Sequence, residues 1–172
     1  MYKSNKMTIQ DVFQKVKWFK PSENWGDINK IDKNLILSLD SLRDKMSIPL
    51  HISPASGSVY AISGHSDESW HYIIKGRNEL SMAADIFPEN SLLDVFMQAI
   101  KMKELGGIGI YPFASWQRKA GPLNGMMHLD VRPYELKTVW WQDVGKRYHY
   151  LNKMQDLNEF YHFYKIIGKP KK

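Results

Sequence analysis

Three polar side chains stand where a buried strand has no use for them. His128 and Asp130 lie two residues apart in Met126-Met127-His128-Leu129-Asp130-Val131. The alternation of that run predicts a strand, and a period of two puts both groups on one face. Asp85 sits inside the apolar run Ala83-Ala84-Asp85-Ile86-Phe87, where an ionised carboxylate is costly unless a partner or a metal compensates it. One His and two Asp, joined by a His from the preceding loop, form a donor set that suits zinc. Catalytic zinc takes three protein ligands and keeps a position for water. The same His-x-Asp spacing also occurs as a hydrogen-bonded pair at a strand end, so spacing alone leaves both readings open.

Composition narrows the chemistry. The 172 residues include six His and no Cys, which excludes a disulfide scaffold, a zinc-thiolate cluster and a thiol nucleophile. Any metal site must use His and carboxylates. An apolar fraction of 43% with 13% aromatic residues excludes a disordered chain. The 24 Lys and Arg against 18 Asp and Glu leave a net charge of +6, which suits an anionic partner. Part of that excess is Lys165, Lys169, Lys171 and Lys172, so 165–172 reads as a basic tail behind a single domain over 1–164. No zinc-finger, RNP or helix-turn-helix pattern points to a specific nucleic-acid partner. The polar opening Met1-Tyr2-Lys3-Ser4-Asn5-Lys6 lacks the apolar core of a secretory signal, and no window has the length of a membrane span. A cytoplasmic protein is the expectation.

The elements that must position these groups follow from periodicity. Ile9, Val12, Phe13, Val16 and Phe19 predict a helix over 8–19, stopped by Pro21. Ile31, Leu35, Leu39, Leu42 and Met46 predict a second helix, followed by a short strand over 50–52. Residues 53–78, rich in Ser, Gly and His, read as a long loop. After a strand over 83–87, Ser91 and Asp94 form a capping-box-like start to a third helix. Ile108-Gly109-Ile110-Tyr111 reads as a strand with little room on one side. A second loop is expected over 112–125, then the strand bearing His128, then the aromatic segment Val139-Trp140-Trp141 and a last helix over about 155–167. Trp140, Trp141, Tyr148 and Tyr150 read as core closure. The expected architecture is α+β, a small, mainly antiparallel sheet flanked by helices.

Three strings, taken in order, carry a resemblance. Ala83-Ala84-Asp85-Ile86, Gly106-Gly107-Ile108-Gly109-Ile110-Tyr111-Pro112 and His128-Leu129-Asp130-Val131-Arg132-Pro133 resemble the zinc D-Ala-D-Ala carboxypeptidase and L-alanyl-D-glutamate endopeptidase family, with the hedgehog/D,D-peptidase fold. The resemblance spans roughly 30–135. It implies a zinc metallopeptidase acting on peptidoglycan stem peptides or cross-links, of a bacteriophage lysin-like or virion-associated type. Such a protein would work at the cell wall from host cytosol or virion.

Site roles follow from the resemblance. Asp85 and His128 are the implied second and third zinc ligands. In the family's usual register Asn78 falls where the first His belongs. Ser69-Trp70-His71-Tyr72 supplies a Ser-x-His string seven residues upstream, so an insertion before Asp85 makes His71 the implied ligand, with His65 in reserve. The family's carboxylate-holding Arg is absent from Ser53-Pro54-Ala55-Ser56-Gly57-Ser58, and Arg77 is its expected substitute. Gly125 stands where several members keep an acid, which leaves Asp130 as the nearest carboxylate to take a proton from the attacking water. Tyr111 is an expected lining residue of the cleft. A degenerate member, keeping the fold as a structural or wall-binding module, is the alternative.

Overall fold

The computed structural model describes residues 7–63, 65, 68–73, 79–89, 91–133, 135, 137–151, 158–160 and 162. Helices α1 (Ile9–Lys15), α2 (Lys33–Met46) and α3 (Leu92–Lys101) accompany strands β1 (Leu50–Ile52), β2 (Ala83–Pro88), β3 (Gly107–Trp116), β4 (Leu123–Asp130), β5 (Thr138–Gln142) and β6 (Tyr148–Tyr150). A short 3-10 turn, Ile28–Lys30, precedes α2. The six strands form one sheet in the order β1-β2-β4-β3-β5-β6. Every pairing is antiparallel except β3 with β5. The fold is α+β, as composition and periodicity predict. Among the described residues, no helix is long and apolar enough to cross a membrane.

Strand alternation divides the sheet into two unlike faces. Ala84, Ile86, Ile108, Ile110, Met127, Leu129 and Trp141 point into a core closed by Leu35, Leu39 and Leu42 of α2 and by Val95, Phe96 and Ala99 of α3. Burying each large side chain contributes roughly 1.5–3 kcal/mol, which offsets the ordering of these segments. The opposite face carries the polar groups. Asp85 pairs with His128, His128 with Gly109, Gly109 with Trp140, and Trp140 with Tyr150. One row across five strands therefore holds two of the three expected ligands.

Several elements depart from the sequence expectation, each for a local reason. Helix α1 begins with a Thr8–Asp11 capping box but ends at Lys15. The Lys17 and Trp18 backbone N–H groups instead donate to the Asp40 carboxylate on α2, at 3.1 and 2.8 Å. Ser91 is no capping box: its φ is 55° and its side chain makes no cap bond to the backbone. Its hydroxyl donates to Asp94. Residues 112–125 are no free loop either. Strand β3 runs on to Trp116, and β4 starts at Leu123, with a register shift between Tyr111 and Ser115. Pro112 falls in that irregularity, where a missing ladder donor is tolerated. Tyr148 to Tyr150 form an edge strand rather than core, with Tyr148 53% and Tyr150 51% exposed. Of the expected last helix, Asn158, Glu159, Phe160 and His162 are helical. Its remainder, and the basic tail 165–172, lie outside the described residues.

Candidate metal centre

The loop and the sheet bring three side chains to one point. His71 arrives on the irregular segment between β1 and β2, whose feet are tied together. Met82 N–H donates to Trp70 C=O at 2.9 Å, and Ala61 N–H to His71 C=O at 3.1 Å. Those two bonds hold the His71 segment beside the start of β2. His71 Nε2, Asp85 Oδ1 and His128 Nδ1 form a triangle with edges of 3.0, 3.2 and 3.4 Å. A tetrahedral zinc site with ligands at 2.0–2.1 Å requires donor–donor spacings of about 3.3 Å. The triangle has the dimensions of such a site. His71 and His128 are buried, while the Asp85 side chain is 20% exposed.

Outer hydrogen bonds fix which atom of each ring faces inward. His71 Nδ1–H donates to the Val59 carbonyl at 3.4 Å, and His128 Nε2–H donates to Asp130 Oδ2 at 3.0 Å. Both inward nitrogens are then lone pairs, set against a carboxylate oxygen. Three acceptors aimed at one point require a cation between them. The donor set could therefore hold a metal ion, with an outer partner behind each histidine of the kind that orients metal ligands.

In the metal-free protein that cation is a proton. Burial opposes the charged imidazole of His128, yet its hydrogen bonds to Asp130 and Asp85 outweigh burial and raise its pKa to about 9. Burial likewise works against the Asp85 carboxylate, but His128 and His71 hold it well below the usual range. A raised histidine pKa stabilises the fold fully below the unfolded value of ~6.5 and is lost as pH climbs through the folded value. The metal-free protein is therefore expected to lose stability between pH 6.5 and about 9. Metal entry must expel the same proton. Zinc titrations at pH 7 in buffers of different ionisation enthalpy should show about one proton released per ion from the protein, beyond any released by metal-bound water. Uptake without proton release at pH 7 would contradict this account of His128.

Asp130 sits behind His128, not beside the open side of the triangle. It is 0% exposed. Oδ2 faces His128, while Arg132 contacts both oxygens through Nε at 2.8 and 3.0 Å and Oδ2 through Nη2 at 2.5 Å. That enclosure replaces the expected proton-carrier role with an orienting one. Burial opposes its charge, and the contacts to His128 and Arg132 more than compensate, holding its pKa below the usual carboxylate range. His65 lies next to His71, with ring centroids 4.9 Å apart. Its Nδ1 faces Ser69 Oγ at 3.3 Å and its Nε2 faces Gly57, so it stays outside the triangle.

The Gly-x-Gly string is now explicable. A Cβ on Gly107 would fall under 3.0 Å from the Asp130 carboxylate, and one on Gly109 equally close to the Trp140 indole. The bare backbone lets that indole lie beside the His128 ring, 5.1 Å between centroids, and donate to Tyr111 Oη at 3.1 Å. Burial raises the Tyr111 pKa, so the hydroxyl stays protonated.

All three triangle residues line a cleft of about 540 Å³, walled by His65, Glu68, Trp70, Tyr111, Arg132 and Tyr148 among others. Tyr111 is thus a lining residue, and Arg77 and Asn78 lie outside the described residues. Glu68, Arg132 and Thr138 also line the cleft, and their only local signal in the sequence is a place in or beside a motif. No family model, no curated protein and no solved structure matches this chain.

Proposed function

We propose that this chain is a zinc-dependent peptidase of the hedgehog/D,D-peptidase kind, hydrolysing peptidoglycan stem peptides or cross-links at the cell wall. One observation carries the reading: three acceptor atoms with zinc-site spacing line an open cleft and are not sealed in the interior. Structural zinc sites are closed by four protein ligands, whereas hydrolytic sites keep three and an open position. Bound zinc supplies Lewis acidity and brings a water towards ionisation near pH ~7. The protein's own groups do the rest. Asp130 and Val59 hold the two rings, Asp85 balances the charge, and Trp70, Tyr111 and Tyr148 line the cleft that would take the substrate chain. Glu68 is a second carboxylate on the cleft wall besides Asp85 and, with Asp130 enclosed, it is the better candidate to receive the proton. The three strings named above and the net charge of +6 support a wall-facing role.

A second reading, a metal-holding module without turnover, is favoured by the enclosure of Asp130. The two part on one experiment. Purified protein loaded with zinc is incubated with muropeptides, and products are resolved by mass spectrometry. The peptidase reading expects about one zinc per chain, as for a single three-ligand site, and stem-peptide fragments that vanish on chelation. Bound zinc with intact muropeptides favours the second reading. A protein that takes up no metal sinks both.

A further inference from the structure

The triangle is assembled from two supports of different stiffness. Asp85 and His128 sit on neighbouring sheet strands, in direct register. His71 sits on an irregular segment held by a few backbone bonds and by the isolated bridge Ala61–Tyr72. A ligand on such a segment must be held to within about 0.5 Å of its working position. Backbone bonds, such as those from the Met82 and Asp85 N–H groups to the Trp70 and Ser58 carbonyls, tie the segment to β2, and a side-chain link towards β4 would complete the fastening.

Arg132 touches both supports. Through Nε and Nη2 it grips Asp130, the residue that orients His128. Its backbone N–H donates to Asp130 Oδ1 at 3.1 Å, leaving Oδ2 aimed at His128. Nη1 reaches Thr138 Oγ1 on β5 at 3.5 Å. The same guanidinium lies over two indoles, 5.4 Å from the Trp70 ring and 5.7 Å from the Trp140 ring. Trp70 is the residue before His71, and Trp140 packs on the His128 ring. One planar cation therefore links the neighbour of the loop ligand to the partner of the sheet ligand.

We propose that Arg132 is a positioning residue for metal binding, a clasp that locks the loop carrying His71 onto the sheet carrying His128. The proposal rests on the reading of the triangle as a zinc site. A lysine cannot replace Arg132, because its point charge lacks both the fork that grips Asp130 and the plane that lies against indoles. Trp70 meets the clasp through the Arg132 guanidinium and precedes His71, so its removal acts from the loop side.

The test is zinc affinity, measured by competition with a chromophoric chelator, for wild type, Arg132→Lys, Trp70→Ala and the double variant. Near-ultraviolet circular dichroism of the metal-free proteins controls for folding. Each single change is expected to weaken zinc binding several-fold, with the roughly 10- to 100-fold range for direct partners of metal ligands as the ceiling. The double variant should lose little beyond the weaker single, since both changes open the same clasp. If Arg132→Lys does not fold, Trp70→Ala still decides, because it spares the buried ion pair. A Trp70→Ala protein that binds zinc within about 2-fold of wild type overturns the clasp. So does strict additivity in the double variant, which marks sites without shared contacts. A wild-type protein that binds no zinc overturns the metal reading itself, and the two failures are told apart by that control.

Discussion

His128→Ala is expected to leave the protein without bound metal. The change removes Nδ1, which stands 3.0 Å from His71 Nε2 and 3.2 Å from Asp85 Oδ1. Two donors remain, and the affinity loss should exceed the roughly 100-fold seen when only an outer partner is removed. Elemental analysis of protein purified in the presence of zinc reads the result directly. His71→Ala should behave in the same way, because its Nε2 closes the triangle at 3.0 and 3.4 Å. His65→Ala should keep its metal, since both ring nitrogens are turned to Ser69 and Gly57. The opposite pattern, metal kept by His71→Ala and lost by His65→Ala, would refute the assignment of the loop ligand. His128→Ala carries a second signature. The group whose pKa is raised to about 9 is gone, so the fall in metal-free stability between pH 6.5 and 9 should go with it.

Gly107→Ala should cost about 3–5 kcal/mol, an effect far larger than its single methyl suggests. The new Cβ would fall under 3.0 Å from three atoms of the Asp130 carboxylate. Retreat is blocked on both sides, because Gly107 pairs with Asp130 on β4 and with Thr138 on β5. The carboxylate must move instead, breaking its contacts with His128 and Arg132. Disrupting a buried ion pair typically costs 3–5 kcal/mol, and overpacking adds to it. Urea unfolding of the metal-free variant measures the loss. Zinc affinity should fall as well, because His128 loses the partner that orients it. Gly109→Ala should cost less, since the indole it displaces gives up a neutral hydrogen bond to Tyr111 and not a buried ion pair. A Gly107→Ala protein as stable as wild type would mean that Asp130 is not confined as described.

The legible parts of the site are those written in local pattern. Period-two spacing put His128 and Asp130 on one face, and the structure has them there, in register with Asp85 and Gly107. The alternation Gly-x-Gly announced a face without room, which proves to be the space taken by the Asp130 carboxylate and the Trp140 indole. The helices over α2 and α3 were readable because their apolar stripes repeat every three to four residues. The inner halves of β3 and β4 were readable too, but their outer ends over 112–116 and 123–125 were not, because Pro112, Gly121, Pro122 and Gly125 interrupt the alternation. The two ends are sustained by each other, Ser115 pairing with Asn124 and Trp116 with Leu123. Strand β6 was missed for a related reason. Its two tyrosines look like core residues, and only its place at the sheet edge leaves them about half exposed.

By itself the sequence determined the donor inventory: six histidines and no thiols, with a His-x-Asp pair on one strand face and a lone Asp in an apolar run. Tertiary structure decided what meets what. It placed His71 rather than His65 in the triangle, put Asp130 behind His128 and out of solvent, and set Arg132 against both Asp130 and Trp70. The physical reason is range. Residue type and spacing set the face a side chain occupies, whereas atoms meet only after strand pairing and loop closure, which join residues as distant as 57 positions along the chain.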